Sequence, residues 1–152
     1  MSHDTAFEMA SSSIRFGPGV TREVGADVAD LGARRVLVVA DPRLVDKYPV
    51  QTVLESLAAE KLEVTLFDRI RVEPTDESFA AAIAATLAAA PDAIVAVGGG
   101  STIDTAKAAN LYATYPAELL DYVNQPVGRG LPVPGPLKPL IAIPTTAGTG
   151  SE

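Results

Sequence analysis

An α/β fold, an open Rossmann-like parallel sheet with helices on both faces, is the class this sequence predicts. Three observations carry it. Apolar runs without polar alternation recur at 36–40 (VLVVA), 93–97 (AIVAV) and 140–143 (LIAI), as strands buried on both faces require. Segments with helical spacing lie between them, the alternation that builds a parallel sheet. Hydrophobic residues make up 47% of the chain but aromatics only 5%, so the core is made of Ala, Val, Leu and Ile. A length of 152 residues suffices for one domain with a sizeable core.

Taken in order, 12–16 alternates weakly and predicts an edge strand, and Gly17-Pro18-Gly19 turns the chain. Val20, Val24, Val28 and Leu31 fall at helical spacing, so a helix is expected over 20–31 with Gly32 at its C-cap. The run 36–40 is the first buried strand, ended by Asp41-Pro42. Two compatible roles are open to Asp41. A carboxylate at such a strand tip can bind the adenosine ribose hydroxyls, and an Asp ahead of Pro can cap a helix start. Facing a ribose, its charge disfavours a 2′-phosphate, so NAD is expected over NADP.

One or two helical segments follow over 44–62, broken near Tyr48-Pro49, with 53–59 the clearer. A strand is expected at 64–67 and a loop at 72–75. An Ala-rich helix over 76–90 carries Phe79, Ile83 and Leu87 at i, i+4 and i+8, with Thr75 or Asp76 as its cap. Pro91-Asp92 breaks the pattern before the central strand.

The stretch 92–109 (DAIVAVGGGSTIDTAKAA) reads as strand, glycine turn and helix start. Gly98, Gly99 and Gly100 allow another group to approach the backbone closely. The helix start adds unpaired N–H groups and the positive end of the dipole, a combination suited to phosphate. The plain alternative is a capping box of Ser101 with Asp104 behind a tight turn. The run is neither G-x-G-x-x-G nor a P-loop with its lysine. Beyond it, 112–139 is rich in Pro and Gly and too long for an ordinary connection, with a short helix expected at 117–123. After the last strand, 145–152 (TTAGTGSE) is a second small, polar loop. Its hydroxyls and amides can bind a pyrophosphate or ribose, or it is an ordinary helix-start turn. Asp41 and both loops, all at strand ends, converge on one crevice in an open α/β sheet.

Composition excludes several classes. A net charge of −7 and a pI near 4.6 disfavour nucleic acid and anionic membrane as partners, while leaving room for a local phosphate site. There is no cysteine and one histidine, His3. Disulfides, Cys-based zinc or iron–sulfur sites, His-rich metal sites and histidine-activated nucleophiles are therefore not expected. No apolar run approaches the roughly 18 residues of a membrane span. The N-terminal MSHDTAFEMASSS has neither a basic n-region nor an Arg-rich amphipathic pattern, so a cytoplasmic protein is expected.

The segments 98–108 (GGGSTIDTAKA) and 143–152 (IPTTAGTGSE), together with 16–25 (FGPGVTREVG) and 40–44 (ADPRL), resemble the iron-dependent (group III) alcohol dehydrogenase family over nearly the whole chain. Within it, 6–17 (AFEMASSSIRFG), 110–116 (NLYATYP) and 133–152 look most like the hydroxyacid-oxoacid transhydrogenase branch. The resemblance implies an oxidoreductase whose N-terminal domain binds NAD and whose helical C-terminal domain holds Fe2+ or another divalent metal. It implies that Asp41 meets the adenosine ribose and that Gly99, Gly100 and Ser101 hold the pyrophosphate, with Gly98 also among the cofactor-binding residues. Asp104 would lie near the nicotinamide ribose, and Thr145, Thr146 and Thr149 would line the cofactor from the other side. In the transhydrogenase branch a hydride passes from 4-hydroxybutyrate to bound nicotinamide and on to 2-oxoglutarate.

The family's metal ligands, an aspartate and histidines, fall beyond the TGSE motif. The expectation is therefore a dinucleotide-binding domain over 1–152, cut before the helical metal-binding domain, with no catalytic residue or metal ligand of its own and inactive alone. Its expected partners are the nicotinamide cofactor, a small hydroxy acid or alcohol in the full-length enzyme, and a second copy in a homodimer.

Three rival readings remain. An NAD-dependent iron-type alcohol dehydrogenase would release its cofactor each turnover and consume external NAD+. A non-catalytic nucleotide-binding module would act through partner contact. A dehydroquinate synthase or glycerol phosphate dehydrogenase type also uses a GGG loop, but its substrate phosphate wants clustered cations. Only Lys107, Arg129 and Lys138 lie near the motifs here.

Overall fold

The computed structural model describes residues 13–72 and 74–151. A single 3-10 turn, Val20–Glu23, runs into α1 (Val24–Asp30). Then follow β1 (Arg35–Ala40), a short 3-10 turn Pro42–Leu44, α2 (Tyr48–Ala59), β2 (Glu63–Phe67), α3 (Asp76–Ala89), β3 (Ala93–Gly98), α4 (Gly100–Thr114) and β4 (Leu140–Pro144). The four strands form one sheet in the order β2-β1-β3-β4, and every pairing is parallel. Val38 sits opposite Leu66 on one side and Val95 on the other.

The two central strands are buried on both faces, which is why their sequences are continuous apolar runs. Alternate residues feed two cores. Val36, Val38, Ala40, Ala93, Val95 and Val97 pack with Val24 and Val28 of α1 and Val50, Val53 and Leu57 of α2. Leu37, Val39, Ile94 and Ala96 pack on the opposite face with Ala82 of α3 and Ile103, Ala106 and Ala109 of α4. The result is a three-layer, doubly wound domain. The chain leaves β1 for β2 on one side, then returns to place β3 on the other side of β1. The boundary between β1 and β3 is therefore a topological switch point, where open α/β sheets carry their ligand crevice.

Gly32 follows α1 at φ +76°, as the C-cap reading requires. Several expectations are corrected. Residues 13–16 form no strand, and Ser12 lies outside the described residues. The break expected at Tyr48-Pro49 is a helix start. α2 runs unbroken from Tyr48, with Pro49 in its first turn, where a missing N–H costs nothing. No helix forms over 117–123. The whole connection 115–139 lacks regular structure and is held by tyrosine hydroxyls instead. Tyr112 donates to the Leu119 carbonyl, Tyr115 to Pro136 at 3.0 Å, and Tyr122 to Tyr115 at 3.3 Å.

α3 turns a different face inward from the one its large residues suggested. Ser78, Ala82 and Thr86 are buried, while Phe79 and Ile83 are half-buried and Leu87 is 55% exposed. α3 lies against α4, and small residues there allow the close approach.

Candidate functional site

At the switch point the tips of β1 and β3 are joined by the Asp41 N–H, which donates to the Val97 carbonyl at 3.1 Å. Above them lies an open crevice of ≈ 360 Å³. Asp41, Pro42 and Arg43 form one side, and Gly99, Gly100, Ser101 and Thr102 line it from the start of α4. Thr146 borders it from the loop after β4, and Ile70 and Val72 from the loop after β2.

Asp41 caps the 3-10 turn, with Pro42 in the first position. Its Oδ1 accepts from the Arg43 backbone N–H at 2.9 Å and from Arg43 Nε at 3.0 Å, and its Oδ2 accepts from Arg43 Nη2 at 2.7 Å. Hydrogen bonding from the Arg43 side chain holds the Asp41 carboxyl below its ordinary value, against the upward effect of burial. Asp41 is thus ionised at neutral pH and available as an acceptor. The capping role is realised, and it coexists with a place on the crevice wall.

The glycine turn has its own geometry. A Cβ on Gly98 would lie 2.4 Å from Thr102 Oγ1. One on Gly100 would lie 3.0 Å from Ser151 Oγ and 3.1 Å from Thr149 Cβ, and one on Gly99 would lie 3.0 Å from Thr146 Oγ1. The groups that approach this backbone closely include the second loop of the same chain. That loop is tied down at both ends. The Thr145 N–H donates to the Gly98 carbonyl at 2.9 Å, and Lys107 Nζ donates to the Ser151 carbonyl. Ser151 is buried.

The plain alternative, a capping box of Ser101 with Asp104, is not formed. Gly99 is the N-cap of α4 and no side chain caps it, because Ser101 is already inside the helix. Its Oγ donates instead to the Val72 carbonyl at 2.6 Å. The first turn of α4 therefore borders the crevice without a side-chain cap, which leaves the positive end of its dipole for an anion.

Of the residues expected at a cofactor site, Asp41, Gly99, Gly100, Ser101 and Thr146 share the crevice lining. Gly98 is buried at the end of β3. Thr145 joins through its backbone and Thr149 stands beside Gly100, but neither lines the crevice. Asp104 is exposed and lies outside the lining, because it falls one turn further along α4. Sequence reasoning missed Arg43, Thr102, Ile70 and Val72. Arg43 had a local signal, an Asp two residues earlier whose Asx turn brings the guanidinium back. Val72 had none, since its place depends on how the loop after β2 folds over α4.

Among the described residues no group of three or more His, Cys, Asp or Glu side chains could hold a metal ion. His3 lies outside the described residues. The residues described here do not fit the family's metal. Among the described residues no helix is long and apolar enough to cross a membrane.

Fold and crevice together define a Rossmann-like α/β domain with an open crevice at the switch point of its sheet. The profile described as iron-containing alcohol dehydrogenase matches residues 11–152, and the chain belongs to that family. It is 57% identical over 150 residues to the mitochondrial hydroxyacid-oxoacid transhydrogenase of Bos taurus, covering 98% of this chain and 32% of the relative. The corresponding protein of Homo sapiens is 55% identical over the same shares. The chain thus spans about a third of the length of these relatives.

Among solved structures, a 1,3-propanediol oxidoreductase superposes with a TM-score of 0.79 at 34% identity, over 90% of this chain and 34% of that one. A sulfoacetaldehyde reductase from Bifidobacterium kashiwanohense, solved in complex with NAD+, gives 0.81 at 28% identity over 97% and 38%. The relatives named mitochondrial overturn the cytoplasmic placement expected from the N-terminus. That expectation rested on a leader pattern not being seen, which carries no address.

Proposed function

We propose that this chain is the nicotinamide-dinucleotide-binding part of an oxidoreductase, with NAD as its cofactor. The observation that carries the reading is the meeting of three features at one switch point. They are the ionised Asp41 at the tip of β1, the glycine turn that opens α4 without a side-chain cap, and the 145–151 loop packed against that turn. In this reading Asp41 accepts from the adenosine ribose. The backbone at Gly99, Gly100 and Ser101 takes the pyrophosphate, favoured by the α4 dipole. Thr146 closes the opposite wall. The Ser101 hydroxyl, spent on Val72, fixes the flanking loop, so the serine serves the phosphate through its backbone. The bound nicotinamide supplies hydride acceptance and return, and this chain's residues hold and orient it.

For the whole protein we propose hydride transfer from a small hydroxy acid, 4-hydroxybutyrate, to 2-oxoglutarate. The 57% identity to a named hydroxyacid-oxoacid transhydrogenase favours this over an alcohol dehydrogenase that consumes external NAD+. Metal dependence, on this reading, rests on residues other than those described.

Calorimetric titration with NAD+ tests the site. Saturable one-to-one binding by the chain is expected, weakened about tenfold or more in Gly99→Val, since each tenfold is about 1.4 kcal/mol and several phosphate contacts are displaced. Failure of the folded chain to bind NAD+ overturns the reading. In the full-length protein, 4-hydroxybutyrate oxidation should require 2-oxoglutarate.

A further inference from the structure

Arg43 stands on the same crevice wall as Asp41, and its geometry bears on which dinucleotide enters. Three donors already occupy the Asp41 carboxylate, two on Oδ1 and one on Oδ2. A carboxylate has about four acceptor positions, so Oδ2 keeps about one for a ribose hydroxyl. The Asp41 side chain is 14% exposed and that of Arg43 72% exposed, so the guanidinium is the outward half of the pair. It spends Nε and one Nη2 hydrogen on Asp41, and about three of its five N–H donors remain. The planar fork suits phosphate oxygens. A lone carboxylate at this position would repel a 2′-phosphate, whereas the ion pair carries no net charge.

We propose that Arg43 is a cofactor-selectivity residue: paired with Asp41 at the adenosine-ribose end of the crevice, it offers its remaining donors to a 2′-phosphate and admits NADP alongside NAD. This rests on the dinucleotide reading above. Nicotinamide dinucleotides differing only in that phosphate are the ligand class, and Arg43 sets how far NAD is favoured.

The experiment is a calorimetric titration of the chain and of Arg43→Ala with NAD+ and NADP+, at low and high salt, with far-UV circular dichroism to confirm folding. Arg43→Ala keeps the backbone N–H that bonds Asp41 Oδ1, so the turn retains its cap. The expected result is measurable NADP+ binding by the wild type, lost about tenfold or more in the variant. NAD+ binding should change less than NADP+ binding, so that the ratio of the NADP+ Kd to the NAD+ Kd rises. Arg43→Lys should restore part of the NADP+ affinity. Raised salt should weaken NADP+ more than NAD+ in the wild type, and this excess should vanish in Arg43→Ala. Equal weakening of both cofactors, with the ratio unmoved, overturns the proposal and makes Arg43 a structural residue. Wild-type binding of NAD+ with none of NADP+ overturns it too, and leaves the dinucleotide reading standing. Binding of neither overturns the dinucleotide reading and this inference with it.

Discussion

Gly25 marks the point where α1 crosses α2. Its N–H donates to Ser56 Oγ at 2.8 Å, and that hydroxyl in turn donates to the Arg22 carbonyl at 2.7 Å. A Cβ on Gly25 would lie 2.1 Å from the Ser56 carbonyl oxygen, a backbone atom that cannot swing away. Gly25→Ala should therefore lower stability by about 1–3 kcal/mol, the usual cost of overpacking, read as a lower urea midpoint. Ala26→Ser, one residue on and exposed, should stay within about 0.5 kcal/mol of wild type. Sequence alone shows a glycine inside a helical pattern. It does not show that another helix backbone occupies the space. The glycines at 98–100 were easier to read, because they follow a buried strand and precede helix formers. Their importance was legible, while the close approach of Thr102 and Ser151 to them was not.

At the scale of the element, α3 separates local from tertiary information most cleanly. Its start was readable from the sequence as Thr75 or Asp76. The structure selects Thr75, whose hydroxyl accepts from the Ser78 N–H at 3.3 Å while Ser78 Oγ accepts from the Thr75 N–H at 2.8 Å. Thr75→Ala should cost about 1 kcal/mol in thermal or urea unfolding. Leu87→Lys should cost less than about 0.5 kcal/mol, because Leu87 is 55% exposed. A helix apolar nearly all round gives periodicity little to choose between. The contact with α4 chose the small-residue face. The 115–139 connection illustrates the reverse case. Its prolines announced irregular chain, but the tyrosine hydroxyl bonds that order it join residues up to 21 apart, beyond any local pattern.

For the molecule as a whole, β1 and β3 are pinned at both ends. Asp41 does this at the crevice, and Asp92 does it at the opposite end. Asp92 Oδ2 accepts from the Arg35 and Arg34 N–H groups at 2.9 and 3.0 Å, and its Oδ1 from Arg35 Nη2 at 3.2 Å. The two backbone N–H bonds, first that of Arg35, hold its carboxyl down at about 2, against an ordinary 3.8. Because the folded value is the lower one, ionised Asp92 stabilises the fold at and above pH 4. That contribution is lost as pH falls from about 4 towards 2. Asp92→Asn should be less stable than wild type at pH 7 and lose less stability across that acid window, as measured by urea unfolding at a series of pH values.

The sequence by itself determined the class of fold, the positions of all four strands to within a residue or two, and the presence of polar small-residue loops at strand ends. Each of these is written in neighbouring residues, as a run, a period or a turn. It also carried enough likeness in its GGGSTIDTAKA and IPTTAGTGSE segments to point to the family. Only the tertiary structure decided that β1 and β3 lie side by side, that Arg43 locks onto Asp41, that Ser101 reaches Val72, and that Asp104 stays outside the crevice. The physical reason is that buried apolar strands are interchangeable as sheet partners. Which strand sits beside which depends on how helices cover both faces at once, and that order sets which loops share a crevice.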